Sequence, residues 1–224
     1  MNGNMNTILV PVKNLAGAKQ RLAEVLTAEQ RRSLAEAMLR DVLEALAQLE
    51  QPESVSIVTG DAVATALARD YGFDVIADHE NAGETAAIAL ATDVTASGGS
   101  DGVLVIPADV PLITAAEVKA ILDAAPESGT VLVAAADGRG TNAILRRPAN
   151  LFPARFGNDS FLPHLESARR AGFPVVILEL PGVALDVDRP DDHAALLAAQ
   201  GSTRTQNLLR SWQAVEAAHS SPCR

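Results

Sequence analysis

The sequence lacks the features that mark several specialised classes of protein. Its one cysteine, Cys223, stands one residue from the C-terminus, so neither an internal disulfide nor a thiolate metal cage is available, which fits a reducing compartment. No basic segment followed by an apolar stretch and a small-residue cleavage site opens the chain, and no apolar run is long enough to cross a bilayer. A cytoplasmic protein is therefore expected. Positive charge is in deficit, with 18 Lys and Arg against 28 Asp and Glu, and a net charge of −10 repels polyanions at long range. General nucleic-acid or membrane-surface binding is thereby disfavoured. The four histidines, His79, His164, His193 and His219, are dispersed without metal-ligand spacing and receive no role. Neither a GxGxxG fingerprint nor a GxxxxGK[ST] loop occurs, which removes support for nicotinamide binding and for P-loop chemistry.

What is present is a chain of 224 residues, 48% of them apolar, enough to bury a substantial core as one domain or as one domain with a small appendage. Short Val- and Ile-rich runs alternate with stretches of helical period, the pattern of βα units around a mainly parallel sheet. Strands are expected at 7–12, 54–59, 73–77, 102–107, 130–135, 142–147, 174–180 and 183–188. Thr27 with Gln30 and Thr114 with Glu117 have capping-box spacing, so helices should start at both places. "DAVATALARDYG" opens on an N-cap candidate, Asp61, and closes on Gly72. Further helices are expected at about 83–96, 160–171, 190–199 and 204–218, to within roughly 2 to 4 residues. In the last of these, Leu208, Leu209, Trp212 and Val215 form a stripe that should dock on the body of the protein or on a second subunit as a homodimer.

The segment "VLVIPADVP" sets the functional question: a buried strand that ends on a carboxylate, Asp109, between two prolines. Ligands of open α/β sheets gather at the carboxyl ends of parallel strands. In "VALDVDRP", strand alternation would project Asp186 and Asp188 from one face, about 7 Å apart. Three carboxylates so placed repel one another unless a cation lies between them, and magnesium, which prefers oxygen ligands and the phosphates of a substrate, meets the need. Taken singly, each aspartate also fits an Asx turn or a helix-start acid, and Asp191 and Asp192 fit only the latter. The loop "VKNLAGAKQRL" after the first strand holds Lys13, Lys19 and Arg21 with no acid among them, so it can neutralise a phosphate chain or stand as a solvated basic patch. Two further polar islands are "DGRGTNAIL", where Thr141 and Asn142 can serve a ligand or simply close a hairpin, and "RFGNDSFLPHL". There Gly157 permits close backbone approach to an anion, and Ser160 or Asn158 can cap a helix.

Taken together and in order, "VPVKNLAGAKQRL", "PADVPLI", "GRGTNAIL", "RFGNDSF" and "LPGVALDVDRPDD" resemble the phospholactate guanylyltransferase family of coenzyme F420 biosynthesis, a branch of the MobA-like nucleotidyltransferases. The resemblance covers the chain to about residue 200. It implies a three-layer α/β/α nucleotidyltransferase fold, Rossmann-like, with a mainly parallel mixed sheet. It divides the chain into a nucleotidyltransferase domain, 1–200, and a C-terminal helical tail, 201–224. The implied reaction joins GTP to 2-phospho-L-lactate, phosphoenolpyruvate or 3-phospho-D-glycerate with release of pyrophosphate. Asp109, Asp186 and Asp188 become the ligands of Mg2+, with Asp109, Lys13 and Lys19 catalytic. Acceptor contacts fall on Thr141, Gly157 and Ser160, with Asn142 beside them. Nucleotide contacts fall on Lys13, Lys19, Arg21, Gly83, Glu84 and Thr85. Where family members commonly show Gly-Leu-Asn this chain has Gly83, Glu84 and Thr85, and Glu84 suits either a guanine N–H edge or the start of a helix. The alternatives are a MobA-like enzyme with another acceptor or CTP, and a non-catalytic nucleotide-binding protein of the same fold.

Overall fold

The computed structural model describes residues 5–50, 54–80, 82–157 and 159–220, the side chains of the last five excepted. Cys223 and Asn158 lie outside the described residues, as does the side chain of His219. Seven strands form one sheet: β1 (Asn6–Val12), β2 (Ser54–Thr59), β3 (Asp74–Ala77), β4 (Gly102–Val105), β5 (Gly129–Ala134), β6 (Thr141–Arg147) and β7 (Val175–Leu178). Their order across the sheet is β3-β2-β1-β4-β6-β5-β7. Pairing is parallel except where β6 runs against β4 and β5. The sheet is thus mainly parallel and mixed. Reversal of β6 has a positional consequence: its amino end lies at the same sheet edge as the carboxyl ends of β1 and β4.

Two buried clusters, one on each face, make the molecule three-layered. Ile8, Val10, Ile57, Leu104 and Val131 face one side, against α1 (Ala28–Ala47), α2 (Ala62–Asp70) and α4 (Ala115–Asp123). Leu9, Val58, Val103, Val105, Leu132 and Ile144 face the other, against α3 (Glu84–Ser97) and α5 (Phe161–Arg170). Burial on both faces is why these strands read as continuous apolar runs rather than alternations. Both capping boxes form, and Asp61 accepts from Val63 N and Ala64 N at 2.8 and 3.1 Å. The remaining helices are α6 (Pro181–Ala184), α7 (Pro190–Ala198) and α8 (Arg204–Ser220). Asp41 of α1 accepts from Arg204 N, Thr205 N and Thr205 Oγ1, and Leu209 is buried in the first cluster. Leu209 and Trp212 of the α8 stripe therefore dock on the body, whereas Val215 is exposed. Among the described residues no helix is long and apolar enough to cross a membrane.

One expected strand is absent. Residues 183–188 begin inside α6, because Pro181 takes the first helical position, and continue as an extended segment with no ladder. Isolated bonds hold it instead: Val187 N donates to Asp109 O at 3.1 Å and Ala136 N to Ala184 O at 2.8 Å. Alternating Asp with Val and Leu imitates a strand in sequence, but β5 already pairs with β6 on one side and β7 on the other. Gly182 fixes where the segment starts. Its N–H donates to Glu117 Oε1 at 2.7 Å, and a Cβ there would collide with the Leu112 carbonyl oxygen and the Glu117 carboxylate. Gly182→Ala is expected to destabilise the protein by about 1–3 kcal/mol in denaturant unfolding, since backbone has to move to admit the methyl. A variant as stable as the parent would show that this contact does not constrain the segment.

Candidate active site

The sheet's switch point lies between β1 and β4, whose following connections leave in opposite directions, and such crevices hold ligands. After β1 the chain makes two short 3-10 turns, Leu15–Gly17 and Gln20–Leu22. Leu15 and Leu22 are buried, and Leu15 N donates to Asp61 Oδ2 at 3.0 Å, so the second carboxylate oxygen of the α2 cap also pins the loop. Between the turns Lys19 adopts a left-handed conformation, φ 54°, uncommon for a side-chain-bearing residue. This turn drives its side chain inward, where it is only 8% exposed.

Lys19 Nζ donates to Asp109 Oδ2 at 2.7 Å and to Asp188 Oδ1 at 2.6 Å. Burial alone would lower the Lys19 pKa, but the two carboxylates carry it above the ordinary value. Burial likewise works to raise Asp188, yet Lys19, with Arg21 at 3.3 Å, holds it below the usual carboxylate range. Among the described residues no cation is paired with Asp186 in this way. Burial pushes it up against the pull of Asn142, whose Nδ2 lies 3.0 Å from Asp186 Oδ1. Asp192 accepts from Asp188 N and Arg189 N at 2.8 and 2.6 Å, the helix-start role expected of it.

These groups meet at a cavity of about 420 Å³. Lys13, Arg21, Glu84, Asp109, Thr141, Asn142, Gly157, Ser160, Asp186 and Asp188 all line it. Thr141 and Asn142 arrive from the amino end of β6, which the reversed strand brings to this edge. Thr141 N donates to Ser160 Oγ at 3.0 Å. Ser160 occupies the N-cap position of α5, but this bond replaces the expected capping bond. Gly157 has φ 137°, a glycine conformation, with open space where a Cβ would sit. Gly83 and Thr85 do not line the cavity, contrary to the expectation for the nucleotide segment. Thr85 Oγ1 instead accepts from Phe156 N at 3.0 Å, and Thr85 borders a second, smaller cavity.

Acidic side chains outnumber basic ones seven to four along the cavity wall, so a polyanion binds here only with a cation. Carboxylates from two separate segments sharing one ammonium nitrogen are close enough to share a cation, and their hard oxygens suit magnesium. Among the described residues, however, no group of three His, Cys, Asp or Glu side chains is placed to hold a metal ion. Lys19 is the stand-in positive charge. Asp186 and Asp188 face the same cavity as Asp109, though not as neighbours along a strand.

Sequence reasoning missed His164. It is buried, with Nδ1 2.9 Å from Thr141 Oγ1 and Nε2 2.9 Å from Arg155 N. A metal-spacing search does not find it, whereas its position one helical turn after Ser160 on the α5 face would have. Arg139, in the turn before β6, forms an exposed ion pair with Asp159 at the mouth of the cavity.

A carboxylate-rich crevice at the switch point of a mainly parallel sheet, with a basic loop after β1, is the layout of a nucleotidyltransferase. A nucleotide-diphospho-sugar transferase structure from Desulfovibrio desulfuricans superposes with a TM-score of 0.77 at 23% identity, covering 96% of this chain and 98% of that one. A nucleotidyl transferase from Methanothermobacter thermautotrophicus gives 0.60 at 17%, covering 93% and 100%. The chain belongs to the guanylyl transferase CofC-like family, whose model matches residues 6–224. It is 38% identical over 202 residues to the phosphoenolpyruvate guanylyltransferase of Roseiflexus castenholzii, covering 90% of this chain and 92% of that protein. To the 2-phospho-L-lactate guanylyltransferase of Methanothermobacter thermautotrophicus it is 31% identical over 202 residues, covering 90% and 88%.

Glu84 offers a test of cavity electrostatics. Burial pushes its pKa up to about 6, Asp109 adds to the rise, and Lys13 opposes it. A raised acid pKa means stability that is fully present below the unfolded value and lost as pH climbs through the folded one. Glu84→Gln, neutral at every pH, is therefore expected to exceed the parent by up to about 2 kcal/mol at about pH 7.5 and to match it below about pH 4.5. Urea unfolding at both pH values checks this, and an equal gap at the two would contradict it.

Proposed function

We propose that the protein transfers the guanylyl group of GTP to the phosphate of a small phosphorylated carboxylic acid, releasing pyrophosphate, in the cytoplasm and as a step of coenzyme F420 biosynthesis. The acceptor is 2-phospho-L-lactate, phosphoenolpyruvate or 3-phospho-D-glycerate. One observation carries the reading: the same cavity is lined by an acidic set, Asp109, Asp186 and Asp188, and by a set of neutral donors, Thr141, Ser160 and the backbone at Gly157. The first suits a metal-bound triphosphate and the second a free phosphate and carboxylate.

In the reaction an acceptor phosphate oxygen forms a bond to the α-phosphorus of GTP while the bond from that phosphorus to the bridging oxygen of the β-phosphate breaks. A phosphate monoester loses its second proton near about pH 6, so the nucleophile is already dianionic and requires no general base. No histidine is needed for proton transfer. The work of the chain is positioning and charge neutralisation. Lys13 and Arg21, on the cavity wall, face the phosphate chain, and Lys19 keeps Asp109 and Asp188 in register. Asp109, Asp186 and Asp188 would hold Mg2+, which when bound neutralises the phosphates and polarises the α-phosphoryl group.

A second reading, CTP in place of GTP, draws on Glu84, a carboxylate on the cavity wall. It can accept from the amino group of cytosine as well as from the N–H edge of guanine. Mass spectrometry after incubation with magnesium, either nucleotide and each acid separately distinguishes the two. The expected product is guanosine monophosphate joined through its phosphate to that of one acid. Absence of any nucleotidyl product would overturn the proposal.

Asp109→Asn is expected to abolish pyrophosphate release while leaving the protein folded by circular dichroism. Near-parental release would remove Asp109 from the centre. Ser160→Ala is expected to raise KM for the acid more than KM for the nucleotide, and equal increases would move Ser160 out of the acceptor set.

A further inference from the structure

His164 is 1% exposed, and both of its ring nitrogens are used. Arg155 N is a backbone N–H and can only donate, so Nε2 at 2.9 Å must accept. In a neutral ring the proton then sits on Nδ1 and is donated to Thr141 Oγ1 at 2.9 Å. Thr141 Oγ1, already accepting, has its own hydroxyl proton left to donate to another group, and Thr141 lines the cavity. Ser160 follows the same logic. Its Oγ accepts from Thr141 N at 3.0 Å, and its proton also points away from that bond.

Burial, and then the nearby guanidinium of Arg146, lower the His164 pKa to about 4, so the ring is neutral at physiological pH. Phe156 packs its edge against the ring at 5.3 Å, next to Gly157. His164 thus joins the start of β6 to the 155–157 loop, the two elements that carry the neutral donors.

We propose that His164 is a positioning residue for the acceptor. It fixes the tautomer that makes the Thr141 hydroxyl a donor towards the cavity, and it locks Thr141 in place relative to the Gly157 loop. The hydroxyls of Thr141 and Ser160, each already accepting one hydrogen bond, are left to donate, and they favour acceptor groups that are anionic oxygens over groups that carry a proton of their own. This rests on the guanylyl-transfer reading, because it concerns that reading's acceptor contacts.

Two replacements separate packing from hydrogen bonding. His164→Phe keeps the ring and its contact with Phe156 but removes both hydrogen bonds. His164→Asn places an amide N–H where Nδ1–H stood. The expected result for His164→Phe is a rise in KM for the phosphorylated acid of roughly tenfold to a hundredfold with KM for GTP changed by less than about twofold. His164→Asn should recover most of that loss. In a Thr141→Val background, His164→Phe should add less than about twofold, since the group it acts through is gone.

Additive effects in that cycle, or equal increases in both KM values, would overturn the proposal. So would a nitrogen NMR spectrum of the parent that places the ring proton on Nε2. The spectrum requires no turnover, so the tautomer is decided even if no acid is guanylylated, an outcome that would defeat the functional reading instead. Should the phenylalanine variant fail to fold, the asparagine variant and the spectrum carry the decision.

Discussion

The site depends on one contact, the ammonium of Lys19 held between the carboxylates of Asp109 and Asp188. Two like charges about 4 Å apart repel by roughly 4 kcal/mol at an effective dielectric of about 20. Without a cation, the loop after β4 and the segment after α6 would be driven apart. The chain invests local structure in preventing this. Buried Leu15 and Leu22 anchor the loop, Asp61 accepts its backbone, and Lys19 turns left-handed between them. The same arrangement explains how these acidic groups can assemble side by side.

Sheet direction supplies the other half of the site. A wholly parallel sheet would have put the amino end of β6 at the far edge, and Thr141 and Asn142 with it. Because β6 runs backwards between β4 and β5, its first residues face Asp109 and the 185–188 segment across one crevice. Asn142 then bridges the two sets, since its amide reaches Asp186 Oδ1 and the carbonyls of Val183 and Ala184. The acidic groups that suit a metal and the neutral donors that suit an anion are consequently held by directly connected backbone.

Most of the architecture was legible in the sequence because it follows from burial and local capping. "SVSIVT" is a strand over the residues expected, and Thr27, Asp61 and Thr114 start helices where their side chains can accept backbone N–H groups. The segment "VALDVD" was misread because alternation alone does not say whether a neighbour is free to pair. The direction of β6 leaves no trace in composition, since parallel and antiparallel strands bury the same residues. In the site, the carboxylates and the basic loop were legible as charge at strand ends. Lys19 was expected to reach for phosphates, whereas its backbone conformation turns it onto Asp109 and Asp188. Thr85 and Glu84 show the limit of segment-level reasoning: adjacent residues at the start of α3 point to different cavities. His164 escaped notice because its partners are 23 and 9 residues away and neither is a metal ligand.

Binding of manganese(II) without nucleotide, followed by its electron spin resonance, tests most directly whether Asp109 and Asp188 form a cation site that Lys19 fills. Lys19→Met should bind the ion at least about tenfold more tightly than the parent, because the competing ammonium is gone. Adding Asp188→Asn to that variant should cancel the gain. Unchanged affinity in Lys19→Met, or a gain that survives the second substitution, would contradict the account.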